Sequence, residues 1–125
     1  MNKFMKILSS SIAFLIFAFS VPVNAAQTSD PTRGLTRVER QTVTFDVWIS
    51  SAAAALVIRK ESKGNCLATG ARGKYRGKWQ VNAGFWRTYG GLEFAPTADQ
   101  ATCDQQDLVA YKGWLARGGQ PWGIR

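Results

Sequence analysis

The sequence predicts a small α+β domain, mainly α, with a short β-hairpin or loop region and one disulfide. Apolar residues recur at helical spacing in two long stretches, over residues 44–62 and 97–117. Between them, residues 66–80 carry glycines at 70, 73 and 77 among Lys, Arg and Tyr, too glycine-rich for a helix. The two cysteines, Cys66 and Cys103, pair if the chain is exported, because no reducing buffer keeps them apart there. Their separation of 37 positions corresponds to about 4 kcal/mol of stabilisation in the chain-entropy picture.

Export is itself an expectation. Lys3 and Lys6 precede an apolar run from Ile7 through Val23, and small residues follow at Ala25 and Ala26. Charged start, short apolar core and small-residue exit mark residues 1–25 as a signal peptide, cleaved after Ala25 or Ala26. A membrane anchor is the competing reading, but the run is marginal for a bilayer and Pro22 favours cleavage. The expected product is secreted, periplasmic or cell-wall associated, monomeric, and without a stable membrane anchor. Roughly one hundred residues remain, enough for one small domain. Without Lys3 and Lys6 there are 14 basic and 8 acidic residues, a net charge of +6. That bias suits anionic partners such as cell-wall polymers, membrane surfaces or nucleic acid, or simply solubility.

Along the chain, residues 26–43 read as a polar linker with a helical turn around Val38–Arg40. The folded domain is expected over 44–125. One helix runs from Thr44 or Asp46 to Ser62, with apolar rows at Phe45, Trp48, Ile49, Ala52 and Leu56 and at Ala54, Val57 and Ile58. Gly64-Asn65 stops it. Asn82 starts a short helix that Gly90-Gly91 ends, with Phe85, Trp86 and Tyr89 as its packing residues. Thr97 or Asp99 caps a helix to about Arg117, burying Ala101, Leu108, Tyr111, the stem of Lys112 and Leu115. Gly118-Gly119 ends it, and Trp122 docks back on the body.

The chain has no His, three Glu and five Asp. A catalytic cysteine lacks a His as base, and a metal site lacks ligands, so neither metal nor cofactor is expected. Glu61 is the best-placed acid, three and four residues after Ile58 and Val57 and so on their apolar face. Apolar neighbours and the negative end of a helix dipole both favour a protonated carboxyl, as a general acid requires. Arg59, Lys60 and Lys63 oppose this if they come close. A surface Glu exchanging weak ion pairs fits the same pattern, and the pattern alone does not choose. Tyr75, Trp79, Trp86, Trp114 and Trp122 are many large rings for so small a domain; such rings either form the core or stack on sugars. Packing suits Trp86 and Trp114. Ligand contact suits Tyr75 and Gln80, in their glycine-rich polar setting.

Several stretches resemble, in order, a known family. Glu61-Ser62-Lys63-Gly64-Asn65 resembles the E-S-G-G-N that follows the first helix of resuscitation-promoting factors and their transglycosylase-like relatives. Tyr75-Arg76-Gly77-Lys78-Trp79-Gln80-Val81 is similar to their Y-x-G-x-x-Q-F, itself akin to the G-L-x-Q of soluble lytic transglycosylases. Phe85-Trp86-Arg87-Thr88-Tyr89-Gly90-Gly91 resembles T-W-x-x-Y-G-G. Gln105-Gln106, Val109-Ala110, Gly118-Gly119 and Pro121-Trp122 resemble the closing Q-Q-I-x-V-A and G-x-G-x-W-P. Together the matches run from about Phe45 to Trp122.

The resemblance implies a lysozyme-like fold that cleaves the β-1,4 bonds between MurNAc and GlcNAc in peptidoglycan. Glu61 matches the family's catalytic glutamate and Gln80 its cleft glutamine, with Tyr75 at the neighbouring aromatic position. The implied substrate-binding set is Tyr75, Trp79, Gln80 and Trp86, the last at least partly structural. Implied partners are peptidoglycan glycan strands and a second cell-wall hydrolase, and not nucleic acid. The sequence also departs from the family. Lys60 stands where members often carry a Cys paired to the C-terminus, so a Cys66–Cys103 bridge is a different staple. Lys63 and Lys78 replace small or apolar residues, which predicts a more basic cleft.

Double-carboxylate mechanisms need a second acid about 5 Å away or more. Of Glu93, Asp99, Asp104 and Asp107, only Glu93 is a candidate, and a plain loop acid fits it better. A single acid suffices if the substrate's N-acetyl group acts as internal nucleophile. A non-catalytic glycan-binding module is the alternative, and a cationic protein acting on membranes or nucleic acid ranks behind both.

Overall fold

The computed structural model describes residues 29–124. The expected signal peptide lies outside them. Five helices and one hairpin make up the main elements of the described residues: α1 (Arg37–Arg40), α2 (Phe45–Ile49), α3 (Ala52–Glu61), β1 (Thr69–Gly70), β2 (Tyr75–Arg76), α4 (Ala83–Thr88) and α5 (Cys103–Arg117). The strands pair antiparallel, Thr69 opposite Arg76 and Gly70 opposite Tyr75. This is the predicted α+β class, mainly α. The Cys66–Cys103 disulfide joins the base of the hairpin to the start of α5.

The helix expected over 44–62 is two. Ser51 has extended backbone, and its Oγ accepts from the Ala54 amide, so it caps α3. Ser50 closes α2 with its own hydroxyl, which donates to the Asp46 carbonyl. Serine side chains compete with the helical ladder in this way, and two in a row divide it. The break also resets the helical phase. Trp48, Ala54 and Val57 are buried, whereas Leu56, counted in the apolar row, is exposed.

A similar correction applies to the last helix. Thr102, not Thr97 or Asp99, caps it, in a reciprocal box with Gln105. Ala98–Gln100 form a separate 3-10 turn. The buried side is Gln106, Asp107, Val109, Ala110, Gly113 and Trp114, while Leu108 faces outward.

The largest correction concerns residues 26–43, read above as a linker. From Asp30 onward they are docked on α5. Thr36 and Glu39 form a capping box for α1. Arg40 spans to the end of α5, donating from Nε to the Leu115 carbonyl and from Nη2 to that of Ala116, both at 3.0 Å. Thr32 is buried and accepts from Trp114 Nε1 at 2.7 Å. The Tyr111 hydroxyl donates to the Val43 carbonyl. A polar segment can be structural when its donors cap another element's orphan carbonyls.

The core is aromatic. Trp48 stacks on Trp79 with centroids 5.0 Å apart, Trp114 on Trp122 at 5.2 Å, and Trp79 meets Trp122 at 5.7 Å. Large flat rings bury much apolar area, but each indole N–H needs an acceptor when sealed from water. Trp79, Trp86, Trp114 and Trp122 find theirs on Asp107, Ala95, Thr32 and Trp79 respectively. Trp122 thus docks as expected, its N–H bonded to the Trp79 carbonyl at 2.8 Å.

Candidate active site

The hairpin turns through a run of left-handed residues, Ala71, Arg72 and Gly73, and its return strand leads to Gln80, which also has a positive φ of 48°. Such a conformation is costly for a residue with a Cβ, of order 1–3 kcal/mol, so something must hold it. The Gln80 amide donates to the Gly77 carbonyl, and its Nε2 donates to the carbonyls of Gly77 and Ala68 at 2.9 and 3.3 Å. Arg76 and Val81 bridge across the excursion with a pair of backbone bonds. Gly70 packs opposite: a Cβ there would lie 2.4 Å from Gln80 Oε1 and displace that side chain. Backbone strain and side-chain bonds therefore fix the orientation of one amide.

That amide opens on a cavity of about 380 Å³. Tyr75 from β2, Asn82 and Tyr89 at the two ends of α4, Arg117 at the end of α5, and Trp122 line it with Gln80. Tyr75 is exposed, with the Lys74 ammonium over its ring at 5.4 Å from the centroid. The walls offer aromatic edges, neutral hydrogen-bonding groups and one cation, Arg117, the kind of lining that sugar rings and acetamido groups need.

Glu61 ends α3 and is half-buried. It does not line the 380 Å³ cavity. Among the described residues its carboxylate makes neither a hydrogen bond nor an ion pair, although Arg59, Lys60 and Lys63 are close in sequence. The next residue connects it to the cavity wall. Ser62 Oγ donates to the Lys78 carbonyl at 2.6 Å, two residues before Gln80. The end of α3 and the return from the hairpin thus share one frame.

Lys78 corrects an expectation. Its ammonium turns inward to the Asp107 carboxylate at 3.0 Å, so it does not make the cleft more basic. Asp107 also accepts from Trp79 Nε1 at 2.7 Å. A buried ammonium and a buried carboxylate must find each other once both leave water. Trp79 is corrected as well, and Trp86 packs as its helical spacing suggested. They are 1% and 2% exposed, with both indole N–H groups bonded inside the protein, so neither presents a face to a ligand. They build the floor under Gln80 and α4. Of the original set the cavity unites Tyr75 and Gln80.

The other acids have separate settings. Glu93 is exposed on the Gly91–Glu93 turn. Asp99 is bonded to Arg76 at 3.3 Å and to Thr97 at 2.7 Å. Asp104 lies in the first turn of α5. Two residues that sequence reasoning left without a role support the site from below. One is Asp107. The other is Gln106, whose Oε1 accepts from the Lys78 amide at 2.7 Å while its Nε2 donates to the Cys66 and Ala101 carbonyls. Gln106 therefore ties both feet of the hairpin to α5. The signal available was two adjacent polar residues, Gln106 and Asp107, one helical turn before Val109-Ala110.

The comparisons with known proteins bear on the same region. The family model of the transglycosylase-like domain matches residues 51–124, from the cap of α3 to the docked C-terminal turn. Resuscitation-promoting factor Rpf1 of Corynebacterium glutamicum is 44% identical over 63 residues, 50% of this chain and 31% of that protein. The chain therefore aligns with about a third of that relative's length. The motif resemblance, the mainly helical lysozyme-like architecture and the match across most of the folded region agree, and the chain belongs to the transglycosylase-like domain family.

Proposed function

We propose that this protein is an exported enzyme that cleaves the β-1,4 glycan strands of peptidoglycan, with Glu61 as its single acid/base. The supporting observation is a half-buried carboxylate without a partner among the described residues, joined through Ser62 to the segment that orients Gln80. Asp107 is held in an ion pair with Lys78, whereas Glu61 pairs with none of the described residues. Tyr75 and Gln80 hold the sugar, the ring by stacking and the amide by hydrogen bonding. Residues 1–25 direct export, and the enzyme works outside the cytoplasm on the wall.

One acid is enough for the reaction. Glu61 gives its proton to the bridging oxygen as the C1–O bond breaks, and the carbonyl oxygen of the substrate's own N-acetyl group bonds to C1. The Glu61 carboxylate then takes a proton from the incoming hydroxyl, whose oxygen displaces the acetamido oxygen at C1. Water as that hydroxyl yields a reducing end; the sugar's own 6-hydroxyl yields a 1,6-anhydro end. The scattered settings of Glu93, Asp99 and Asp107 support this reading over a two-carboxylate one.

Incubation of the mature protein with purified peptidoglycan, followed by mass spectrometry, tests the proposal. Soluble fragments with anhydro or reducing ends are expected. Glu61→Gln is expected to lower the rate by about 100-fold or more, the scale of general acid catalysis, while glycan binding persists. A well-folded wild type that releases no fragment yet binds glycan would show a binding module instead.

A further inference from the structure

We propose that Arg117 is a specificity-determining residue of the cleft and binds a carboxylate carried by the glycan strand. The inference rests on the reading of the cleft as a glycan site. Arg117 is the single charged side chain among those lining the 380 Å³ cavity. It is exposed, and its guanidinium makes no hydrogen bond or ion pair with any described residue.

A structural task exists for an arginine at this point, because Arg117 is the last residue of α5 and helix ends leave carbonyls unpaired. That task is already done by other groups. Arg40 donates to the Leu115 and Ala116 carbonyls, and the Gly118 amide donates to that of Trp114 at 2.6 Å. The guanidinium is left over. It lines the cavity together with Tyr75, Gln80 and Tyr89, with five donors in a fork that fits a carboxylate in bidentate fashion.

The substrate class supplies such a group at a defined place. In a peptidoglycan strand every second sugar bears a lactyl ether, ending either in a free carboxylate or in a peptide with carboxylates of its own. A β-1,4 strand of N-acetylglucosamine alone has the same backbone and no charge. Tyr75, Gln80 and Asn82 cannot separate the two by charge; Arg117 can.

The test is calorimetric titration in the Glu61→Gln background, so that nothing is cleaved during the measurement. Three probes are used: a peptide-bearing glycan tetrasaccharide, the same tetrasaccharide stripped of peptide, and N-acetylglucosamine tetramer. Adding Arg117→Gln is expected to lower the affinity ratio of anionic to neutral glycan by about tenfold at low salt, with Arg117→Lys keeping part of it. Loss on the stripped strand identifies the lactyl carboxylate; loss confined to the peptide-bearing strand identifies the peptide. Either supports the proposal. An unchanged ratio, or equal loss on all three probes, overturns it. Because the readout is binding, an inactive wild type with a falling ratio would sink the enzymatic reading and leave Arg117's role intact.

Discussion

Two carboxylates, Asp107 and Glu61, are treated in opposite ways. Asp107 is buried, receives the Trp79 indole N–H and pairs with the Lys78 ammonium. Glu61 is half-buried and none of the described residues bonds to it. The region from Lys78 to Ala83 thus rests on the paired side chains of Gln106 and Asp107, although Trp48 Nε1 beneath Trp79 is buried without an acceptor among the described residues. Buried polar groups cost free energy unless paired, which is why Lys78 and Asp107 meet. A group that is to bind or exchange protons must instead keep its partner vacant. Pairing makes Asp107 structural, and the proposed acid is the carboxylate that pairing leaves out.

If this division is right, substitutions on the two sides fail differently. Asp107→Ala strands a mostly buried ammonium and an indole N–H, and should lower unfolding free energy by about 3–5 kcal/mol; denaturant titration measures it. Glu61→Gln should leave that midpoint nearly unchanged while removing most activity, since surface-like substitutions stay within about 0.5 kcal/mol. An Asp107 variant that is stable but inactive would reverse the assignment. Gly70→Ala comes next. Its Cβ displaces the Gln80 amide, and glycan affinity should fall several-fold with a stability change near 1 kcal/mol, within the usual range for single substitutions. Affinity that does not move would remove Gln80 from the binding wall.

The smallest effect lies farthest from the site. Burial raises the Tyr111 hydroxyl above its ordinary value of 10.0. Its folded form therefore favours the neutral phenol, whose hydrogen donates to the Val43 carbonyl. This contribution is fully present below the unfolded value near pH 10 and is lost as pH rises through the higher folded one. Melting curves from pH 8 to 11 should show a modest alkaline decline that Tyr111→Phe reduces.

Much of this was legible in the linear pattern, and the misses have shared causes. The hairpin, the stops at Gly64 and Gly118 and the cap at Asn82 follow from local chemistry that acts over a few residues. The split at Ser50-Ser51 was local too, but the continuous apolar spacing from Phe45 to Ile58 concealed it. Thr32 and Arg40 were unreadable as structure because their partners, Trp114, Leu115 and Ala116, are more than seventy positions away. Trp79 entered the binding set through the family resemblance, and an indole's composition does not say which side of a wall it faces.

By itself the sequence determined the class of the fold, the disulfide-stapled glycine-rich hairpin, and the short list of residues able to do acid/base work, since no histidine competes. Residue type and spacing govern these, through propensity, capping and ionisation. Only the tertiary structure decided that Lys78 turns in while Arg117 pairs with none of the described residues, that Asp107 is sealed while Glu61 is not, and that residues 30–43 pack on the folded body. Those outcomes depend on which donors and acceptors meet after the chain closes on itself, and pairing at long range leaves no local trace.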